Sequence, residues 1–387
     1  NKHTYTLYNL GNIFFELSQY KKSIKFYETA IKTNPGFLLS YFNLGLAHEK
    51  NGDYKKSLKY YKLAIKKNPH DEKTYNQIGL LFKKLNNYNF AVTHFKKALS
   101  FKPDSISIKF NLAESLKEMG EYSLATKILN EIISEKSSYL FAYLTLGEIQ
   151  CWSGNFNKGF SNFQKVIDMN LKQDFLFSLL AFYSNYSPDM SSEEIFKYYK
   201  LYDQKFGLPH KHKWKPFAQP KVTKNKLKIG YVSPDFKKHS MHNFLLPVLT
   251  HHDRDKFEIY AFAELEKEDT VSIQCKTYVD HWIRTEKTKD DELAQKIRDF
   301  GIDILVDLAG HTKGNRLGVF AQKPSPISLS WLGYGYTSGL SAIDYFLTDN
   351  VMVPKGSDHL FSEKLWKLEK YAAVWDPGNN IMGAVNM

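Results

Sequence analysis

Small and aromatic positions recur at one interval through the first 170 residues, and the recurrence predicts pairs of helices. Gly11, Gly45, Gly79, Ala113 and Gly147 stand 34 residues apart, as do Tyr20, Tyr54, Tyr88, Tyr122 and Phe156. Ser23, Ser57, Ala91, Ala125 and Gly159 form a third row, and Ala30, Ala64, Ala98, Ile132 and Val166 a fourth. Pro35, Pro69 and Pro103 close the first three units. Each unit carries a small residue in a first helix, an aromatic at the turn and a second apolar helix. A lone pair of such helices leaves its apolar face exposed, so the units must stack.

A 34-residue helix pair with these marks is the tetratricopeptide pattern. Residues 1–170 are therefore expected to form an α-solenoid of five tetratricopeptide repeats with a groove that holds something extended. A quieter row supports that expectation. Asn9, Asn43, Gln77, Asn111 and Thr145 each precede the apolar residue ahead of the small position, again 34 apart. Stacking would align them as a ladder. An amide both donates and accepts, so a ladder of amides could grip a peptide backbone whatever its sequence. The alternative is an amide that bonds within its own repeat.

The repeat signal fades after Asn170. Residues 171–225 read as a helical transition and linker: helices over 175–206, with Ser191-Ser-Glu-Glu194 as a capping box, then a Lys/Pro-bearing linker from Lys211 to Lys226. From residue 226 the period changes to short β-branched runs. Strands are expected at Leu227–Val232, Phe257–Phe262, Ile302–Leu308, Pro326–Trp331 and Tyr345–Thr348, with an amphipathic helix over Asp290–Phe300. That alternation predicts a parallel, doubly wound α/β Rossmann-like lobe over 226–375, followed by a tail at 376–387. Ligands of such sheets bind at the carboxyl ends of the strands, which selects the loops 234–243, 309–316 and 332–339.

Composition narrows the class. A chain of 387 residues that is 43% hydrophobic and 15% aromatic has room for two or three packed domains. No apolar run is long enough to span a bilayer and no signal peptide opens the chain, so no membrane partner is expected and the location reads as cytoplasmic. Two cysteines, Cys151 and Cys275, exclude a disulfide framework. The net charge of +12 raises nucleic acid as a partner. The excess is lysine spread over helix faces, and its densest stretch, His210–Lys215, lacks interleaved stacking aromatics, so nucleic acid is set aside and the stretch reads as a solvated linker. The chain begins at Asn1 inside a repeat, which reads as an N-terminal truncation.

Candidate chemistry clusters after the first strand. Asp235 and His239 lie four residues apart, and a carboxylate beside an imidazole can orient it for removing a proton from a hydroxyl. The alternative is an aspartate opening a turn and a histidine capping a helix. Asp253-Arg-Asp255 spells a carboxylate pair that could hold a metal, but it falls at the amino end of a strand and reads as a turn. Gly333, Gly335 and Gly339 do not make a phosphate-loop fingerprint, and offer close backbone approach to a ligand instead.

These motifs together resemble the protein O-GlcNAc transferases and their Spindly-type relatives. The likeness rests on Lys228-Ile-Gly-Tyr-Val-Ser-Pro-Asp-Phe236 with His239, Asp307-Leu-Ala-Gly-His-Thr312, Trp331-Leu-Gly-Tyr334 with Thr337-Ser-Gly339, and Asp344-Tyr-Phe-Leu-Thr-Asp349. It extends over the whole chain. The resemblance implies an inverting, metal-independent transfer of a sugar from a nucleotide donor to Ser or Thr of proteins, with the lobe as the first half of a two-lobed GT-B glycosyltransferase. Asp235 matches the aspartate that helps move the acceptor proton, and His239 the active-site histidine. Leu332, Gly333, Gly335, Thr337 and His311 match donor-binding positions, and the row from Asn9 to Thr145 matches the acceptor-binding ladder. The implied donor is UDP-GlcNAc, or GDP-fucose as in some Spindly-like proteins; no other cofactor is implied, and protein or peptide acceptors are the implied partners. Two departures stand out. The stretch Gly333-Tyr-Gly-Tyr-Thr337 replaces the family's Gly-Tyr-Pro-Gly-Thr, and Phe175-Leu-Phe-Ser178 occupies the place of a transition histidine in animal enzymes. The second lobe, which supplies a diphosphate-binding lysine, is expected to be missing, so this chain alone is expected to be inactive. A peptide-binding scaffold without catalysis is the competing expectation.

Overall fold

A computed structural model describes residues 2–169, 173–217, 226–333 and 336–373, divided between two compact units, 1–170 and 171–387. Among the described residues no helix is long and apolar enough to cross a membrane.

The first unit consists of helix pairs: α1 (Lys2–Glu16) with α2 (Tyr20–Thr33), α3 (Leu38–Lys50) with α4 (Tyr54–Lys67), α5 (Glu72–Lys84) with α6 (Tyr88–Phe101), α7 (Ile106–Glu118) with α8 (Tyr122–Glu135), and α9 (Leu140–Trp152) with α10 (Phe156–Asp168). The small row has a packing cause. A Cβ added at Gly11, Gly45, Gly79 or Gly147 would lie 2.5–2.6 Å from the ring of Tyr27, Tyr61, Phe95 or Phe163 respectively. Close packing of these helices therefore needs glycine opposite a ring. In the fourth repeat the opposing residue is Leu129, and there Ala113 is tolerated; both are fully buried. Turns between the paired helices pass through left-handed residues at the same interval: Ser18, Gly52, Asn86, Gly120 and Gly154, with φ between 56° and 84°.

The second unit opens with α11 (Asp174–Ser184) and α12 (Ser192–Tyr202). The expected capping box starts α12: Glu194 N donates to Ser191 Oγ and Ser191 N donates to Glu194 Oε2. A π-helical turn (Asp203–Gly207) and a 3-10 helix (Leu208–Lys213) follow. The basic stretch expected as solvated linker is docked instead. Trp214 Nε1 donates to Ala321 O at 2.8 Å, and Lys213 pairs with Asp291 at 2.9 Å. An indole N–H that finds a carbonyl fixes the segment more firmly than its lysines suggest.

The sheet contains β1 (Leu227–Ser233), β2 (Phe257–Ala263), β3 (His281–Arg284), β4 (Ile304–Asp307), β5 (Ile327–Ser330), β6 (Tyr345–Asp349) and β7 (Lys364–Leu368), in the order β3-β2-β1-β4-β5-β6-β7 and parallel throughout. Between strands lie α13 (His242–His251), α14 (Thr270–Lys276), α15 (Asp290–Phe300) and α16 (Leu317–Phe320). Met241, Leu245, Leu249 and Cys275 cover Ile229, Tyr231, Ile259 and Ala261 on one face, each such side chain contributing roughly 1.5–3 kcal/mol if aliphatic and fully buried. Both cysteines are free and buried, which pushes their thiols up to about 12 (Cys151) and about 11 (Cys275). Two strands, β3 and β7, and the helices α13 and α14 were not expected from the sequence pattern.

Candidate active site

The chain runs from β1 outward through β2 to β3, then returns to place β4 on the other side of β1. A reversal of this kind opens a crevice at the carboxyl ends of the two central strands. The loops after β1, β4 and β5 therefore lie side by side. They are the three that strand alternation selected, and an added Cβ at Gly314 would sit 3.1 Å from Pro234 Cβ, so the first two touch.

The loop after β1 carries Asp235 and His239. Asp235 N donates to Ser233 Oγ, and Phe236 is fully buried beneath it. Ser272 of α14 and the Asp269 that caps it hold the loop: Ser272 Oγ donates to Phe236 O at 2.7 Å, and Asp269 accepts from Lys238 N at 2.7 Å. Burial pushes the Asp235 carboxyl above its ordinary range, opposed by the charges of His239 and Lys237. His239 Nδ1 lies 3.8 Å from Asp235 Oδ2, within reach of an ion pair but beyond a hydrogen bond. Nδ1 instead accepts from Met241 N at 3.3 Å, ahead of α13. The expected carboxylate-oriented imidazole is therefore not formed here, and the backbone sets the ring. With Nδ1 accepting, the proton of the neutral ring is on Nε2, and the side chain is 47% exposed.

The loop after β4 is fixed from within. Asp307 accepts from Ala309 N, Gly310 N and Ser330 Oγ, and burial raises its carboxyl against those donors. Arg316, at the far end, donates to Glu264 Oε2 at 2.7 Å and pairs with Asp290 at 2.8 Å. Its charge is matched inside the protein.

His311 does not face the crevice. Only 4% exposed, its ring stands edge-on to Tyr199 and Tyr202 of α12. Nε2 lies 2.7 Å from Ser338 O, which can only accept, so Nε2 carries the proton. Nδ1 then accepts from Ser178 Oγ at 3.0 Å. Burial lowers its pKa to about 4, leaving a neutral ring. Both nitrogens are taken, so His311 is corrected from a donor ligand to a pin between helices and loop.

Thr337 is corrected likewise. It is 1% exposed, donates to Glu363 Oε2, and accepts from Gly339 N and Ser362 N. Leu332 keeps its place at the crevice, with a left-handed backbone (φ 66°) that a leucine adopts only under constraint. Gly333 makes a close approach, but to protein. An added Cβ would lie 2.5 Å from Ala309 N and C. Gly335 lies outside the described residues.

The amide row of the first unit is bonded within the array. Asn43 Nδ2 donates to Tyr8 OH at 3.0 Å and Asn12 Oδ1 at 2.9 Å; Gln77 Nε2 donates to Glu49 Oε2 at 3.1 Å; Asn111 Nδ2 donates to Asn76 Oδ1 at 3.2 Å. Each reaches the preceding repeat rather than its own, so the rungs tie repeats together. Asn9 is exposed, whereas Thr145 is buried at 5% exposure and is corrected to a packing residue. Asp253 is a turn residue, accepting from Asp255 N and pairing with Lys256.

Helical repeats ahead of a switch-point α/β lobe define the class: a glycosyltransferase lobe joined to a tetratricopeptide array. The chain belongs to glycosyl transferase family 41, whose model matches residues 155–379, with tetratricopeptide-repeat models matching 11–52, 39–71 and 72–105. It is 32% identical over 197 residues to a barley protein named "Probable UDP-N-acetylglucosamine--peptide N-acetylglucosaminyltransferase SPINDLY", covering 50% of this chain and 21% of that protein. An Arabidopsis thaliana relative, named as the same probable enzyme SEC, is 30% identical over 57% of this chain and 23% of its own length. A solved Thermobaculum terrenum O-GlcNAc transferase mutant superposes with a TM-score of 0.69 at 26% identity, over 78% of this chain and 58% of that one. The chain thus spans about a fifth of the length of the curated relatives it matches.

Proposed function

We propose that this chain supplies the acceptor-binding repeats and the first lobe of a cytoplasmic protein O-glycosyltransferase that moves GlcNAc from UDP-GlcNAc to Ser or Thr hydroxyls. The observation that carries the reading is the placing of Asp235 and His239 at the carboxyl end of β1, beside the switch point and the loops after β4 and β5. In the transfer, the hydroxyl oxygen bonds to the anomeric carbon from the face opposite the nucleotide, which inverts that carbon. The sugar–phosphate bond breaks, the nucleoside diphosphate leaves with the electron pair, and the hydroxyl proton passes to a base. Asp235, its carboxyl raised by burial, is better matched to that proton than an ordinary carboxylate. His239, exposed with its proton on Nε2, would donate toward an oxygen in the crevice. No metal enters this scheme. A second lobe would stabilise the leaving diphosphate.

The test offers UDP-GlcNAc and GDP-fucose in turn to the full-length gene product. Transfer from UDP-GlcNAc, cut at least a hundredfold by His239→Ala with peptide binding intact, is the expected result. Transfer from GDP-fucose alone replaces the donor. Peptide binding with no transfer from either makes the protein a scaffold.

A further inference from the structure

One buried carboxylate in the second unit is used by neither the proton chemistry nor the sheet. Glu363, just ahead of β7, is 5% exposed and faces the loop after β5. Its Oε1 accepts from Ser338 N at 2.7 Å and from Ser338 Oγ; its Oε2 accepts from Thr337 Oγ1. The direction of each hydroxyl is forced. Thr337 Oγ1 already accepts from Gly339 N at 3.0 Å and Ser362 N at 3.2 Å, and Ser338 Oγ accepts from Leu340 N at 3.2 Å. Both hydroxyl hydrogens must therefore go to the carboxylate. Three donors converge on one carboxyl in a dry site: burial raises it, the bonds from Ser338 and Thr337 oppose that rise, and bonds to its carboxylate form are charge-assisted.

The same segment is braced on its other side. Ser338 O accepts from His311, and Gly339, with φ 75°, packs so closely that an added Cβ would lie 2.5 Å from Tyr199 O. The upstream arm of the loop has its own anchors: Trp331 N donates to Asp307 O at 2.9 Å and Trp331 Nε1 to Ala372 O at 2.8 Å. Between these anchors stands the strained Leu332. Strained backbone persists only where its surroundings over-determine it.

We propose that Glu363 is a positioning residue for the sugar-donor loop, its carboxylate fixing the Tyr336–Gly339 arm so that Leu332 and Gly333 present their backbone to the donor. This rests on the transfer reading above. A loop displaced by about 1 Å can cost on the order of a hundredfold in turnover or binding. An amide in place of Glu363 has one acceptor oxygen for three incoming hydrogens, so Glu363→Gln is already a strong perturbation.

The test uses the full-length product carrying Glu363→Gln, Glu363→Ala or Thr337→Val, the last keeping the shape while removing one donor to Glu363 and the acceptor of Gly339 N and Ser362 N. Two readouts are needed: hydrogen exchange of the 336–341 amides, and donor KM and kcat after titrating folded enzyme. The expected result is exchange faster by at least about tenfold and a donor KM raised about 10- to 100-fold, with acceptor KM near the parent value. Thr337→Val should show a smaller change of the same kind. Unchanged exchange in the variants overturns the clamp. Faster exchange with parental donor KM overturns the positioning role and leaves Glu363 a stability residue. Should both Glu363 variants fail to fold, exchange of the Ser338 amide in Thr337→Val decides by the same criteria, since that N–H donates to Glu363 and not to Thr337. A parent that transfers from neither donor removes the functional reading and the donor role with it, while exchange still shows whether Glu363 sets the loop.

Discussion

Gly333→Ala tests the donor loop most directly, because the structure fixes what the new methyl would meet. The Cβ would lie 2.5 Å from Ala309 N and C and 2.6 Å from Leu308 C. These are backbone atoms of buried residues continuing β4, and Leu308 and Ala309 are no more than 2% exposed. A flexible side chain could swing away; this backbone is held by the bonds from Asp307 and by the sheet. The loop after β5 must yield, by about 1 Å to recover normal contact. Overpacking of this kind costs about 1–3 kcal/mol. For a unit of this size each 1 kcal/mol lowers Tm by roughly 2–4 °C, so Tm should fall by about 2–12 °C. The same displacement at the donor should cut kcat/KM about a hundredfold. The assay is transfer by the full-length product together with its melting curve. Parental kcat/KM with a lowered Tm would refute the reasoning, since the loop would then move without consequence for the donor.

His311 should make its own acid sensitivity visible. Its native pKa is about 4 against an ordinary 6.5, so between those values the unfolded state binds the extra proton and stability falls as pH falls. The loss from this group between pH 7 and pH 5 is about 2 kcal/mol, and His311→Gln should show a correspondingly shallower acid slope in urea unfolding than the parent. Asn43→Ala removes two bonds to the preceding repeat and Asn111→Ala one, predicting losses of about 1–2 and about 0.5–1 kcal/mol by urea midpoint; equal losses would deny the rungs their bonding role. Tyr61→Phe removes one of two donors to the buried Glu49, the phenol at 2.8 Å, and leaves Gln77; it should cost about 1.5–3 kcal/mol, read the same way.

What the sequence disclosed depended on whether a residue's partner recurs at a fixed interval. The glycine row was legible because a ring opposes it in one repeat after another, and even its exception, Ala113, follows from Leu129. The left-handed turn row was hidden because serine, glycine and asparagine all satisfy it. β3 and β7 were missed because a four-residue strand and an exposed Lys364-Leu-Trp-Lys-Leu368 edge carry too little alternation to stand out from loop. The three loops were selected as the carboxyl ends of expected strands, and the strand order sets them side by side. Glu363, Asp307 and Asp269 were not singled out, since their partners lie in other elements and nothing in a lone acidic residue announces them.

Residue type also fails to distinguish a polar group offered to a ligand from one consumed inside the protein, and this decides how the site must be tested. His311 and Thr337 match donor positions by motif, yet every polar atom of both side chains is already bonded within the fold. Asp235 and His239 match by motif and keep atoms facing solvent. The two sets should therefore separate kinetically. Substituting Asp235 by Asn keeps the shape and removes a base, so it should lower kcat while leaving donor KM and Tm near parental values. Changing His311 or Thr337 displaces the loop and should raise donor KM and lower Tm together. If Asp235→Asn instead shifted KM and Tm with kcat intact, its raised carboxyl would be a packing residue like the others, and the proton would have to leave by another route.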